Sequence, residues 1–291
     1  MLPLSKGRDL SWALPLLLLS TCTALAQGAS KNASVSCSPP DGAVLLWSRV
    51  GVRFVLFGEL HGTVETPPIF GELVCDAAAH GKRVLVGLEF SEDTSRAFQT
   101  YVASKGTAQD QQVFLANSHW LEMAHRFPDG RTSVAMWKMI ERLRALRTAG
   151  LNISVTTLQR ATTATAASQT PHEVGMANSL SEAFGAGEYD VAIVLIGNLH
   201  ARREPVAGSS ATFEPMAMHL PADVTLTLDA VAGAGEAWNC TQLGCSAQTR
   251  TGRVLTSRSG IVLDSALSRG YDGVIQVGPI TAAVPAVDEP K

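Results

Sequence analysis

This chain is poor in aromatic residues (6%) and in charge (17%), has five cysteines, and lacks most of the short motifs that announce an enzyme class. The low aromatic content gives little flat apolar surface for a large planar cofactor. The formal net charge of −3 gives no cationic field for a phosphate backbone or an acidic lipid surface, so nucleic acid is not an expected partner. No Gly-x-Ser-x-Gly occurs, which argues against a serine α/β-hydrolase. Phosphate-cradling glycine loops, dinucleotide fingerprints, His-Glu-x-x-His and paired Cys-x-x-Cys are also missing. No apolar run is long enough to span a bilayer, so no transmembrane segment is expected.

What is present begins with an export signal. Lys6 and Arg8 precede the apolar stretch Trp12 to Leu19, and Ala24-Leu25-Ala26 has the A-x-A form of a cleavage site. Residues 1–26 are therefore expected to be a signal peptide, with the mature protein periplasmic or secreted. Leu19-Ser20-Thr21 before Cys22 is a poor lipobox because of the Thr, so a lipoprotein is the less favoured reading. Loss of Cys22 leaves four cysteines, an even number in an oxidising compartment. Cys240 and Cys245 flank a Gly-containing loop and are expected to pair. Cys37 with Cys75 would then tie an N-terminal arm (27–50) to the first long helix.

Strand-like and helix-like segments alternate through residues 51–280. Apolar or β-branched runs at 53–59, 83–90, 152–158, 190–198, 223–231 and 273–278 read as strands. Helices are expected from Pro67 to Ala79, over 92–104, over 109–125, from a cap at Thr132 or Ser133 to Thr148, and over 173–185. Gly278-Pro279 reads as the end of the last strand, and residues 281–291 as a loose tail. The alternation predicts a single α/β domain with a mostly parallel central sheet flanked by helices.

Two of the strands share an ending: Phe54-Val55-Leu56-Phe57-Gly58-Glu59-Leu60-His61 and Ala192-Ile193-Val194-Leu195-Ile196-Gly197-Asn198-Leu199-His200. Each places a His just past a carboxyl-terminal strand end, where open α/β sheets build their sites. This suggests a duplicated βα core with two imidazoles converging on one crevice. Glu59 and His61 lie two apart and should face the same side. Glu65 follows, with capping of the next helix as its alternative role. Glu89 ends the second strand, which is expected to lie beside the first. An acid and imidazole cluster of this kind can hold a divalent metal or act on water with His61 as base. Asn198, Arg202, Arg131, His119 and Glu65 are the candidate substrate-binding residues; Arg203 reads as a salt-bridge former. Arg131 sits at a helix N-terminus, where a cation is poorly placed unless it faces an acid or a ligand.

The two Gly-x-x-His segments with Glu89 between them resemble the Tiki/TraB, ChaN-like and erythromycin-esterase superfamily. Asp129-Gly130-Arg131-Thr132-Ser133 and the helix around Met176-Ala177 look most like the ChaN-like branch. The resemblance implies a duplicated α/β core with His61, Glu59, Glu89 and His200 in the shared centre. It implies no single activity: Tiki members are metal-dependent proteases, erythromycin esterases open a macrolactone, and ChaN-like proteins bind haem. One residue separates Glu59 from His61 here, where the erythromycin-esterase pattern has two. Two expectations follow. One is an exported hydrolase of peptidase or esterase type acting on a small molecule or peptide, with His61, Glu59, Glu89 and His200 either catalytic or ligating Mn, Zn or Co. The alternative is a haem-binding uptake protein that breaks no bond.

Overall fold

The computed structural model describes residues 35–161, 168–207, 212–256 and 260–287. The expected signal peptide, Cys22, the start of the arm and residues 162–167 lie outside them. In chain order the elements are α1 (Val44–Trp47), β1 (Phe54–Glu59), α2 (Thr66–Ala79), β2 (Val84–Ser91), α3 (Ser95–Val102), α4 (Ala108–Asn117), α5 (Trp120–Arg126), α6 (Val134–Thr148), β3 (Ile153–Gln159), α7 (Thr170–Gly185), β4 (Val191–Gly197), β5 (Val206–Ala207), β6 (Thr212–Phe213), β7 (Thr225–Thr241), β8 (Gly244–Arg250), β9 (Gly260–Val262) and β10 (Gly273–Ile280).

Strands β3-β2-β4-β1-β7-β10 lie in that order and run parallel, with β9 antiparallel on the β10 edge. Burial on both faces explains why these segments read as continuous apolar runs. Alternate residues of β1 feed different cores: Val55 and Phe57 pack under α2 to α6, Phe54 and Leu56 under α7. The scarce aromatics are spent inside the first core, where Phe90, Phe98, Tyr101, Phe114, Trp120 and Trp137 stack on one another. The fold is thus α/β with a mostly parallel central sheet flanked by helices.

Several local expectations are corrected. The second strand does not neighbour the first, because β4 lies between them. All seven residues of β4 are buried, and so apolar a strand belongs where it has partners on both sides. The stretch 109–125 is two helices, broken at His119, whose backbone is left-handed (φ 55°). The fifth strand runs on to Thr241 and folds back through β8 as an antiparallel hairpin. The hairpin escaped notice because Ala-Gly-Ala-Gly-Glu carries almost no strand preference. Gly278-Pro279 does not end β10, which absorbs it as a register irregularity and continues to Ile280.

The tail is not loose over residues 281–287. Val64 N–H donates to Thr281 O, Ala283 N–H to Gly62 O, Val134 N–H to Val284 O and Ala286 N–H to Thr132 O, and the side chains of Ala283 and Ala286 are buried. Within the arm, α1 buries Leu46, and Trp47 Nε1 donates to Asp76. The two expected disulfides are present, Cys37–Cys75 and Cys240–Cys245. Among the described residues no helix is long and apolar enough to cross a membrane.

Candidate functional site

Strands β1 and β4 are neighbours with Glu59 opposite Gly197, so both Gly-x-x-His segments leave the sheet side by side. Neither Gly58 nor Gly197 has the positive φ expected of a turn residue; both are the last or nearly last residues of their strands, and Gly197 gives room for the His61 ring beside it. The turn itself is made by Gly62 (φ 77°), where a Cβ would lie 1.9 Å from Trp238 O. Gly130 (φ 97°) presses on it in turn, with a Cβ 2.3 Å from Gly62 Cα. Only glycine permits three backbones to meet this closely.

Held in that turn, His61 places Nδ1 2.9 Å from Glu59 Oε1 and Nε2 3.3 Å from Glu89 Oε2. Glu89 reaches across β4 to this position. Its Oε2 accepts the Gly197 N–H at 2.7 Å, and its Oε1 accepts from Arg131 Nη1 at 3.2 Å and Gln159 Nε2 at 3.3 Å. His200 Nε2 lies 3.9 Å from the same Oε1, and His200 Nδ1 lies 2.7 Å from Glu173 Oε1. The result is a continuous line of alternating acids and imidazoles: Glu59, His61, Glu89, His200, Glu173. Its three carboxylates are buried while each imidazole is about one-fifth exposed (20% and 19%) to a cleft of about 370 Å³. Asn198, Asp129, Asn239 and Arg250 also line that cleft.

Burial opposes charge on Glu59, His61, Glu89 and His200, and the neighbours decide the outcome. Burial pushes the Glu59 carboxyl above its ordinary value, despite the hydrogen bond from His61. Burial works against the His61 imidazolium too, but the Glu89 charge and the hydrogen bonds to Glu59 and Glu89 carry its pKa to about 10. Glu89, also opposed by burial, is held well below the usual carboxylate range by His61, His200 and Arg131. His200 is raised, burial again being outweighed by Glu89 and Glu173. At neutral pH the resting centre is the Glu89 carboxylate beside the His61 imidazolium, with His200 shifted toward its charged form. His172, whose ring lies 6.3 Å from that of His200, is lowered by burial and stays neutral.

The remaining expected residues divide. Arg131 faces acids, donating through Nε and Nη2 to Asp129 and through Nη1 to Glu89. Asn198 lines the cleft and accepts the Tyr271 hydroxyl on its carbonyl. Glu65 is outside the cleft: its carboxylate accepts the Thr281 N–H at 3.0 Å and makes no cap bond. His119 pairs with Glu122 and Asp93 on the surface of α5. Arg202 turns toward Glu204, and Arg203 pairs with Asp272.

Two participants were not anticipated. Glu173 sits in the first turn of α7, where an acid reads simply as a dipole partner, and only packing beneath His200 shows its use. In the sequence Asn239 stands out only as the first residue of Asn239-Cys240-Thr241. Its side-chain N–H donates to His61 O, and its Oδ1 accepts from Arg250. A more apolar groove of about 430 Å³ between α2, α6 and residues 282–284 lies elsewhere, and two of its three charged lining groups, Glu72 and Arg142, pair with each other.

Each Nδ1 is engaged by a carboxylate, which leaves Nε2 as the open donor atom of its ring. The acid that faces both Nε2 atoms, Glu89, also carries a guanidinium, a side-chain amide and a backbone N–H. Among the described residues no group of three or more His, Cys, Asp or Glu is arranged as a metal cage. Among the described residues no tyrosine lines the cleft. The Tyr101 and Tyr271 hydroxyls are taken by Glu141 and Asn198 O, and Tyr189 packs on Phe184.

No family model matches the chain, and no curated protein sequence does. Solved structures share its fold. An erythromycin esterase, a His-to-Asn variant in its open conformation, superposes with a TM-score of 0.51 at 15% identity, over 82% of this chain and 93% of its own. A protein from Bacillus cereus gives 0.52 at 9% identity, over 80% and 90%. A succinoglycan biosynthesis protein gives 0.52 at 9% identity, over 82% and 90%. At these identities the likeness is one of fold: this chain is built on the same α/β plan as an erythromycin esterase.

Proposed function

We propose that this chain is an exported hydrolase of the esterase or peptidase type, in the superfamily of the erythromycin esterases. The observation that carries the reading is the pair of imidazoles, each held at Nδ1 by a buried carboxylate and turned by Nε2 onto the shared Glu89. A carboxylate on Nδ1 fixes ring orientation and tautomer and supports charge on the ring. His61 in its neutral form accepts the proton of the attacking water and returns it to the leaving group. His200, charged and held by Glu173, stabilises negative charge on the tetrahedral oxygen. Glu59 orients His61, and Arg131 keeps Glu89 ionised.

The electrostatics impose a signature. With the His61 pKa at about 10, the base form is scarce at neutral pH. The rate constant kcat/KM therefore rises roughly tenfold per pH unit on the approach to that value. The test is hydrolysis of an ester and peptide panel by the purified mature protein, with His61→Ala as control. Turnover that His61→Ala abolishes, with an alkaline-rising profile, is the expected result. A panel without turnover, or a His61→Ala protein as active as wild type, sinks the reading.

A further inference from the structure

The charged groups of the cleft are matched with one exception. Glu59, Glu89 and Glu173 are bound to imidazoles or Arg131, and Asp129 pairs with Arg131. Arg250, on β8, also lines the cleft, and among the described residues its side-chain partner is an amide oxygen, not a carboxylate. Its Nη2 donates to Asn239 Oδ1 at 2.6 Å, while its Nε is shut off from water with no partner. With Nη2 giving one bond to Asn239 and no carboxylate partner, the guanidinium keeps donors on its Nη edge for a ligand. Its planar fork suits a carboxylate, and it shares the cleft with His61 and His200. The Asn239 contact ties it to the wall that also holds His61 O.

We propose that Arg250 is a specificity-determining residue that binds a carboxylate of the substrate, so that the preferred substrates are esters or amides bearing a free carboxylate near the scissile bond. The inference rests on reading this cleft as the substrate site. An anionic substrate meets in Arg250 a cation that no carboxylate of the cleft neutralises.

The test is calorimetric binding of glutarate and of its neutral diamide, glutaramide, to wild type, Arg250→Gln and Arg250→Lys. Thermal melts confirm that the variants are folded. Glutarate is expected to bind about tenfold more tightly than glutaramide, to weaken about tenfold in Arg250→Gln with partial recovery in Arg250→Lys, and to weaken as salt rises. Equal binding of the two compounds, an unchanged glutarate affinity in Arg250→Gln, or no glutarate binding at all overturns the proposal. Inorganic phosphate binding with glutarate excluded also overturns it. Kinetics with a hemisuccinate ester and its neutral butyrate analogue separate the two readings. Glutarate held through Arg250 with no ester turned over removes the hydrolase and leaves the anion site. Turnover of both esters at equal kcat/KM removes the anion site and leaves the hydrolase.

Discussion

His61 and His200 follow the same Gly-x-x spacing on adjacent strands, yet they obtain their supporting acids differently. His61 takes Glu59 from its own segment, two residues back, at 2.9 Å. His200 takes Glu173 from α7, 27 residues away in sequence, at 2.7 Å. Glu59 uses Oε1 toward its imidazole, whereas Glu173 divides its oxygens between His200 and the Met216 N–H. A repeated backbone segment therefore repeats the imidazole but not its carboxylate, which comes from whichever element packs nearby. The first half of the centre is local, and the second half depends on α7 seating against the sheet through Met176 and Leu180.

The largest effect should come from breaking the link between the halves. Glu89→Gln leaves Arg131 and both imidazoles without their shared anion, at a cost of about 3–5 kcal/mol in urea unfolding and with nearly all activity lost. An active and stable Glu89→Gln protein would mean that the halves work independently. Next, the imidazoles should be unequal. His61→Ala is expected to lower kcat/KM by roughly 10³-fold and His200→Ala by about 10²-fold, because one moves the proton and the other stabilises charge. Equal losses would erase that division.

The acids sharpen the contrast in stability. A Gln at 59 keeps an oxygen for His61, so Glu59→Gln should cost under about 1 kcal/mol. A Gln at 173 offers one acceptor to two donors and leaves a buried N–H unmet, so Glu173→Gln should cost about 1–3 kcal/mol. Chemical denaturation of the two variants compares them directly. The two halves also differ in pH dependence. Since the His61 pKa is raised from 6.5 to about 10, its stabilisation is complete below about 6.5 and is lost as pH rises through about 10. Glu59, also raised, acts in the same direction, while the depressed Glu89 loses its contribution as pH falls below the ordinary carboxylate value. Thermal melts from pH 5 to 10 should show an alkaline decline that His61→Asn flattens; parallel curves would contradict the assigned charge state.

The same contrast explains how much of this molecule could be read in its sequence. The parallel strands were legible because burial on both faces writes long apolar runs. Glu59, His61, Glu89 and His200 were legible because acids and imidazoles at the ends of such runs must find partners. Glu173 was not, since nothing in Thr-Pro-His-Glu-Val distinguishes a helix-start acid from an imidazole's partner. The placing of β4 between β1 and β2 was also hidden, because strand order is decided by tertiary packing. Glu65 was misassigned for a related reason: its partner is a backbone N–H far along the chain. The β7–β8 hairpin, and with it Asn239 and Arg250, was invisible in a glycine- and alanine-rich stretch.

The bond from Thr281 N–H to Glu65 spans 216 residues, and it belongs to the strap that holds the turn carrying His61. During synthesis that turn is made early and its fastening late, so a nascent chain carries His61 long before the loop around it is fixed. Closing so distant a contact is slow and comes near the end of folding. A protease that severs the strap after folding should loosen the His61 turn while leaving the parallel strands in place. The strap thus works as a latch, and its integrity records whether residues 281–286 are in place on the turn.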